Sequence, residues 1–184
     1  MLAIGLAFAI QATIAKPYQI PTDSMEPTIQ GGQPVPGNPG QTSGGDRIIT
    51  NRLIYKLRDI RRGDIVVFDQ TPAARARCSL GDPDVPFVKR VIGLPGDTVE
   101  VAGGETVVNG EPFVVEAART PDYVFGPVTV PADSLFVLGD NRNESCDSHQ
   151  WAIDGESAPF LPEDNVIGQA EVIYWPINHI GFLN

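Results

Sequence analysis

Cysteine and histidine are scarce in this chain of 184 residues, with two of each. Cys78 and Cys146 cannot build a disulfide framework, although they permit one bond. Their separation excludes a CxxC redox or zinc motif. With only His149 and His179 to offer imidazole, a zinc site has little support, and no cofactor is expected. Positive charge is also short: 13 Lys and Arg stand against 23 Asp and Glu, a net charge of −10. A global basic footprint for nucleic acid is therefore absent. Uninterrupted helical pattern is missing too, because 19 Gly and 17 Pro break the sequence throughout. Turn formers at that density argue against an all-helical fold. No internal repeat is present. What remains is 42% hydrophobic and 20% charged, which is not the composition of a disordered chain. The length favours one domain, allows at most two small ones, and suffices to bury a core without disulfides.

The longest apolar run is residues 1–15, MLAIGLAFAIQATIA. A membrane span needs about 20 apolar residues, and no basic flank precedes this run. Three readings compete. The run is the end of a membrane anchor that begins before this chain, or a secretory apolar region with Ala7-Phe8-Ala9 resembling a cleavage site, or a buried core helix. The first two send the rest of the chain across a membrane. Lys16 and Pro17 end the run sharply. Residues 31–45, GGQPVPGNPGQTSGG, offer nothing to pack a core and read as a flexible surface loop. Arg47, Arg52, Lys56, Arg58, Arg61 and Arg62 then place six of the 13 cations in a short stretch.

Residues 46–62 are ambiguous, because Ile49, Leu53, Leu57 and Ile60 have helical spacing while Arg47-Ile48-Ile49-Thr50 reads as a strand. After them strand signals dominate. Asp64-Ile65-Val66-Val67-Phe68 and residues 87–92 are short β-branched runs. Residues 98–102 and 106–108 flank Gly103-Gly104, a hairpin signal, and Asn109-Gly110 opens a second hairpin toward residues 112–115. Residues 128–130, 135–138 and 166–175 complete the set. The pattern predicts a mainly β domain, a sheet or a barrel.

Three segments have chemical potential. Pro21-Thr22-Asp23-Ser24-Met25-Glu26-Pro27-Thr28 places a serine in an irregular, proline-flanked stretch, where Thr, Asp and Ser also serve as ordinary turn or cap residues. Val88-Lys89-Arg90-Val91-Ile92 places a lysine inside an otherwise apolar strand. Such a lysine is an edge-strand guard or a desolvated amine whose lowered pKa fits it for general-base work. The loop Gly139-Asp140-Asn141-Arg142-Asn143-Glu144-Ser145-Cys146-Asp147-Ser148-His149 carries dense hydrogen-bonding capacity. With Asp147, His149 and a distant serine, it also permits a Ser/His/Asp arrangement.

Together with Arg62-Gly63-Asp64-Ile65-Val66-Val67-Phe68 and Val91-Ile92-Gly93-Leu94-Pro95-Gly96-Asp97, these segments resemble, in order, the bacterial type I signal peptidases. Those are membrane-anchored Ser/Lys proteases. The match covers most of the chain. It departs from the family in a longer loop at residues 31–45, in His149 where many members carry arginine, and in a start within the anchor.

The resemblance implies a signal-peptidase-like β catalytic domain over residues 17–184, preceded by an anchor helix that ends at residues 1–16. It implies a single-pass membrane protein whose catalytic domain is extracytoplasmic. Ser24 is then the nucleophile and Lys89 the general base. Thr22 supplies an oxyanion hydroxyl beside the Ser24 N–H, and Ser145 hydrogen-bonds and orients the lysine. Asp140 and Arg90, and Asp147 and His149, are expected as supporting pairs. The expected substrates are signal peptides of exported preproteins, cut after small residues of A-x-A type. The lipid bilayer is the other partner, and the export machinery an indirect one. Met25, Ile65, Val66 and Phe68 are candidates for the shallow apolar pocket walls. If Lys89 and Ser145 meet, their flanking segments lie side by side and Cys78 can bond Cys146; two reduced thiols are the alternative. Two rival functions stay open: a Ser24/His149/Asp147 hydrolase, and a noncatalytic exported β-rich binding module.

Overall fold

The computed structural model describes residues 14–37, 42–78, 84–151 and 159–183. Its strands are β1 Ala15–Gln19, β2 Gly32–Pro34, β3 Thr42–Gly44, β4 Arg47–Asn51, β5 Ile65–Phe68, β6 Phe87–Gly93, β7 Thr98–Ala102, β8 Glu105–Val108, β9 Glu111–Pro112, β10 Phe125–Thr129, β11 Ser134–Leu138, β12 Leu161–Pro162, β13 Val166–Trp175 and β14 Gly181–Phe182. The large sheet runs β1-β4-β13-β5-β6-β11-β12, with β14 also paired to β13. A second sheet runs β10-β7-β8-β9, and β2 pairs with β3 in a ribbon. The architecture is mainly β, with the large sheet curled into a half-barrel. Register shifts along β13 and β11 account for part of the curl, since bulges bend a strand and increase its twist.

Burial follows the pleat. In β4, Ile48 and Thr50 are buried while Arg47 is exposed, the alternation of a sheet with one covered face. All seven residues of β6 are buried, including Lys89 and Arg90 at 4% exposure each. This strand sits between three packed clusters. Val88 belongs with Met25, Ile29, Ile48, Ile65 and Val67. Phe87 and Val91 belong with Val66, Phe68, Val137 and Trp151. Ile92 joins Phe136 and Leu138 to Val99, Val101 and Val108, which locks the second sheet onto the first.

Several expectations change here. Residues 47–51 are strand, and the helical spacing after them yields only the 3-10 turn Ile54–Lys56. Residues 31–45, read as loop, contain the β2–β3 ribbon, and Gly31 and Gly32 are buried. Gly45 is held at φ +77°, and a Cβ there would lie 2.4 Å from the Ile20 carbonyl oxygen. Close backbone approach, rather than apolar packing, builds this element. The second hairpin reaches only Glu111–Pro112. Most of the apolar run, residues 1–13, lies outside the described residues. Ala15 and Lys16 belong to β1, an edge strand, where Pro17 is tolerated because no ladder bond is lost on the open side. Among the described residues no helix is long and apolar enough to cross a membrane.

Candidate active site

Ser24 lies in the turn that follows β1, and Met25 and Ile29 anchor that turn in the core at 1% and 0% exposure. The loop after β11 latches it from the other side. Asn141 donates its backbone N–H to the Ser24 carbonyl at 3.1 Å and its side-chain amide to the Asp23 carbonyl at 3.1 Å. Thr28 donates to Asp140 Oδ2 at 2.6 Å. Asn141 belongs to the loop marked by its polar density, and only the fold shows that this residue holds the nucleophile turn.

Lys89 comes from the middle of β6 and donates from Nζ to Ser24 Oγ at 2.7 Å and to the Val88 carbonyl at 3.0 Å. Its Nζ stands 5.4 Å from the centre of the Phe87 ring. Burial removes water from the ammonium and brings its pKa down to about 8, against the opposing pull of Asp147 and then Asp140. At pH 7 about one lysine in ten is then neutral, against about one in 2,500 for a free lysine. At this separation a neutral amine is within reach of the hydroxyl proton and can take it as the oxygen attacks.

Thr22 Oγ1 lies 3.5 Å from Ser24 Oγ, the outer limit of a hydrogen bond. Ser145 is buried within the site, but its hydroxyl has no hydrogen-bond partner. The Lys89–Ser145 bond implied by the resemblance is not made; the hydrogen bonds of Lys89 Nζ go to Ser24 and Val88. Ser145 packs against Gly139: a Cβ at 139 would lie 2.2 Å from Ser145 Oγ and 2.3 Å from the Ser24 carbonyl oxygen.

The supporting pairs are formed. Arg90 Nε and Nη2 meet Asp140 Oδ1 and Oδ2 at 2.8 and 2.7 Å, and Arg90 Nη1 donates to the Gly63 carbonyl. This bidentate, buried arrangement fixes the residue next to the lysine. Asp147 accepts the Gly139 N–H at 2.8 Å and holds His149 Nδ1 at 2.6 Å. Arg142 donates to the Gly139 carbonyl and to Thr106 Oγ1. Cys78 and Cys146 are joined in a disulfide with Cα atoms 5.8 Å apart. It ties the end of the short helix Pro72–Arg77 to the loop between Ser145 and Asp147. Ser24 Oγ bonds Lys89 and Thr22, while His149 is occupied by Asp147 and by stacking on Tyr123. That geometry counts against the Ser/His/Asp alternative.

A narrow cleft of about 50 Å³ opens at the dyad, between Tyr18-Gln19-Ile20-Pro21 on one side and Val85-Pro86-Phe87-Val88 on the other. Of the four pocket candidates, Met25 lines it, and Ile65, Val66 and Phe68 do not. Val67 does, as the partner of Val88 across the ladder. Ile65 shares its face but pairs with Arg90, away from the cleft. Val66 and Phe68 point to the opposite face, against Trp151. Alternation along β5 combined with its register against β6 identifies Val67.

The sequence matches the signal peptidase, peptidase S26, description over residues 1–175. It is 41% identical to a protein named Signal peptidase I from Leptolyngbya laminosa, over 99% of this chain and 79% of that one. It is 41% identical to Probable signal peptidase I-2 of a Synechocystis species, over 98% of this chain and 72% of that one. A Signal peptidase I from Bacillus licheniformis is 31% identical over 98% of this chain and 87% of its own length. A buried serine–lysine contact at the floor of an apolar cleft, set in a chain with these relatives, leads to one assignment: the chain belongs to the signal peptidase family, peptidase S26.

Proposed function

We propose that this serine endopeptidase removes signal peptides from exported preproteins through a Ser24/Lys89 dyad. The observation that carries the proposal is the 2.7 Å contact between Lys89 Nζ and Ser24 Oγ in a buried, apolar setting. Neutral Lys89 takes the Ser24 proton as Oγ attacks the scissile carbonyl, forming an acyl-enzyme. The resulting ammonium protonates the leaving amine, and the regenerated amine activates the deacylating water. The Ser24 N–H and the Thr22 hydroxyl face the developing oxyanion. Tyr18–Gln19 at the end of β1 and Phe87–Val88 at the start of β6 offer two extended backbones beside which a substrate strand adds on. Val67, Val88 and Met25 wall a cleft of about 50 Å³, a size that suits alanine-like side chains.

The domain works at the membrane's outer face, anchored by the apolar run that precedes β1. In support, the outer face of the sheet aligns Pro17, Ile49, Val172 and Phe182 across β1, β4, β13 and β14. Phe182 and Ile177 are 85% and 72% exposed, and an apolar face of this kind fits a lipid surface. Arg47, Arg52 and Lys56 are exposed alongside, each contributing roughly 1 kcal/mol near anionic headgroups.

The test is cleavage of a synthetic peptide carrying an A-x-A site, with the products mapped by mass. Ser24→Ala and Lys89→Ala abolish cutting after the site, and His149→Ala retains it. Activity in Lys89→Ala with loss in His149→Ala would transfer the base role to histidine. No cleavage by the wild-type chain of any such peptide would favour a binding module.

A further inference from the structure

The nucleophile turn is anchored even without the Asn141 side chain. Met25 and Ile29 sink into the core. The Glu26 N–H donates to the Asp23 carbonyl at 3.0 Å, and the Asn141 N–H donates to the Ser24 carbonyl at 3.1 Å. Gly31 packs against the start of the turn so closely that a Cβ there would lie 2.3 Å from the Thr22 carbonyl carbon and 2.5 Å from the Asp23 nitrogen. Yet Asn141 Nδ2 adds a further bond, 3.1 Å long, to the same Asp23 carbonyl. Asn141 is 2% exposed, and its Oδ1 has no hydrogen-bond partner. A buried amide is thus spent on one bond that the turn does not need to hold its path.

The Asp23 carbonyl and the Ser24 N–H belong to one rigid peptide plane. That peptide bond is trans, so the two groups point in opposite directions, and whatever holds the oxygen sets the direction of the hydrogen. The Ser24 N–H makes no bond among the described residues, and it is the backbone donor to the oxyanion in the mechanism above. A small rotation of the plane would move this hydrogen off its target while leaving the chain path nearly unchanged. Donors on the carbonyl also polarise the amide and strengthen its N–H. With its backbone N–H and its side chain together, Asn141 grips the carbonyls on both sides of the Ser24 Cα. That grip restrains both backbone dihedrals of the nucleophile.

We propose that Asn141 is a positioning residue for the oxyanion hole: its side-chain amide holds the Asp23–Ser24 peptide plane so that the Ser24 N–H points at the developing oxyanion. The proposal rests on Ser24 being the nucleophile. Asn141 is held to backbone carbonyls and touches no reacting atom. Its effect therefore falls on the tetrahedral transition state and leaves the binding of substrate in the cleft unchanged.

The test variant is N141L in the full chain. Leucine matches the branched shape of asparagine, keeps the backbone N–H on Ser24 and lacks the side-chain donor. The Asp23 carbonyl retains its bond from Glu26, so no buried acceptor is orphaned. Two probes are compared. One is an A-x-A peptide aldehyde: Ser24 Oγ bonds the aldehyde carbon, the carbonyl electron pair moves to its oxygen at the oxyanion position, and the hydroxyl proton passes to Lys89. The other is the matching peptide alcohol, which fills the same cleft and cannot add. Removing an oxyanion donor outright costs about 100- to 1,000-fold. Misdirecting one is expected to cost N141L about 10- to 100-fold in kcat, with KM within about threefold of wild type. Aldehyde affinity should fall by the same factor, and alcohol affinity should hold. Full activity in N141L, a kcat loss that the aldehyde does not share, or equal weakening of aldehyde and alcohol would overturn the proposal and leave Asn141 a plain brace. Carbon-13 in the aldehyde separates this from failure of the dyad reading. A hemiacetal that is absent in the wild type, or that persists in Ser24→Ala, would refute Ser24 as the nucleophile and the proposal with it. If N141L does not melt cooperatively, the smaller N141A, which also lacks the donor, is held to the same outcomes.

Discussion

Replacing Gly139 by alanine adds one methyl group at the point where the nucleophile turn and the polar loop touch. The backbone there is not in the left-handed region, so alanine brings no conformational strain, and any effect is steric. The new Cβ would lie 2.3 Å from the Ser24 carbonyl oxygen, 2.2 Å from Ser145 Oγ and 2.6 Å from Ser145 Cβ. Ordinary contact begins at about 3.4 Å, so something must move by about 1 Å. The Ser145 hydroxyl can rotate, but its Cβ and the Ser24 carbonyl cannot. The carbonyl is fixed further by the Asn141 N–H, and Ser24 must hold a 2.7 Å contact with Lys89. A displacement of about 1 Å at reacting atoms costs on the order of 100-fold in rate, and overpacking of a tight site costs about 1–3 kcal/mol in stability. Steady-state cleavage of an A-x-A peptide, read beside a thermal melt, separates the two effects. Loss should appear mainly in kcat, with the protein still folded at the assay temperature. Activity within threefold of wild type and an unchanged melt would refute the claim that Gly139 is a contact between the two halves of the site.

Lys89→Met should stabilise the fold near neutral pH. The folded pKa of about 8 lies below the unfolded value of about 10.4, so below pH 8 the fold carries the full cost of the buried ammonium, on the order of 3 kcal/mol. That cost fades as pH rises from 8 toward 10.4, and the gap between variant and wild type in urea melts should close over the same window; a wild type that is the more stable at pH 7 would contradict this. Reducing the Cys78–Cys146 bond, which spans 68 residues, should cost up to about 4 kcal/mol on chain-entropy grounds, read as a lower urea midpoint with and without reductant. Thr22→Ala should lose about 100-fold or more in kcat if its hydroxyl serves the oxyanion, while Thr22→Ser stays mild; a severe loss in Thr22→Ser would count against the role.

Much of the β framework is legible in residues alone. Gly103-Gly104 between two alternating runs marks the β7–β8 hairpin, and the β-branched runs give β5, β6 and β13. The strands that escaped notice lack such runs. β1 contains Lys16 and Pro17, and β2 and β3 are made of Gly, Gln, Pro, Thr and Ser; pairing of their backbones, with close glycine contacts, holds them in place. The helix Pro72–Arg77 did carry a local signal, Thr71 as N-cap with proline at the first helical position, a pattern typical of helix starts. The site is a different matter. Ser24 and Lys89 lie 65 residues apart, and no local pattern joins them. Resemblance to a family located them, whereas the pocket walls required the register of β5 against β6. There the side chain facing the cleft is Val67, one residue along from Val66, as a pleat with a period of two demands.

The most direct test of the Ser24/Lys89 account is to trap the intermediate. The chain is mixed with a peptide carrying an A-x-A site, quenched in acid within the first turnovers, digested and mapped by mass. The account predicts the N-terminal part of the substrate esterified to the fragment containing Ser24 and absent in Ser24→Ala, with the rate of cleavage rising with pH up to about 8. An adduct on any other residue, or undiminished cleavage by Ser24→Ala, would contradict it.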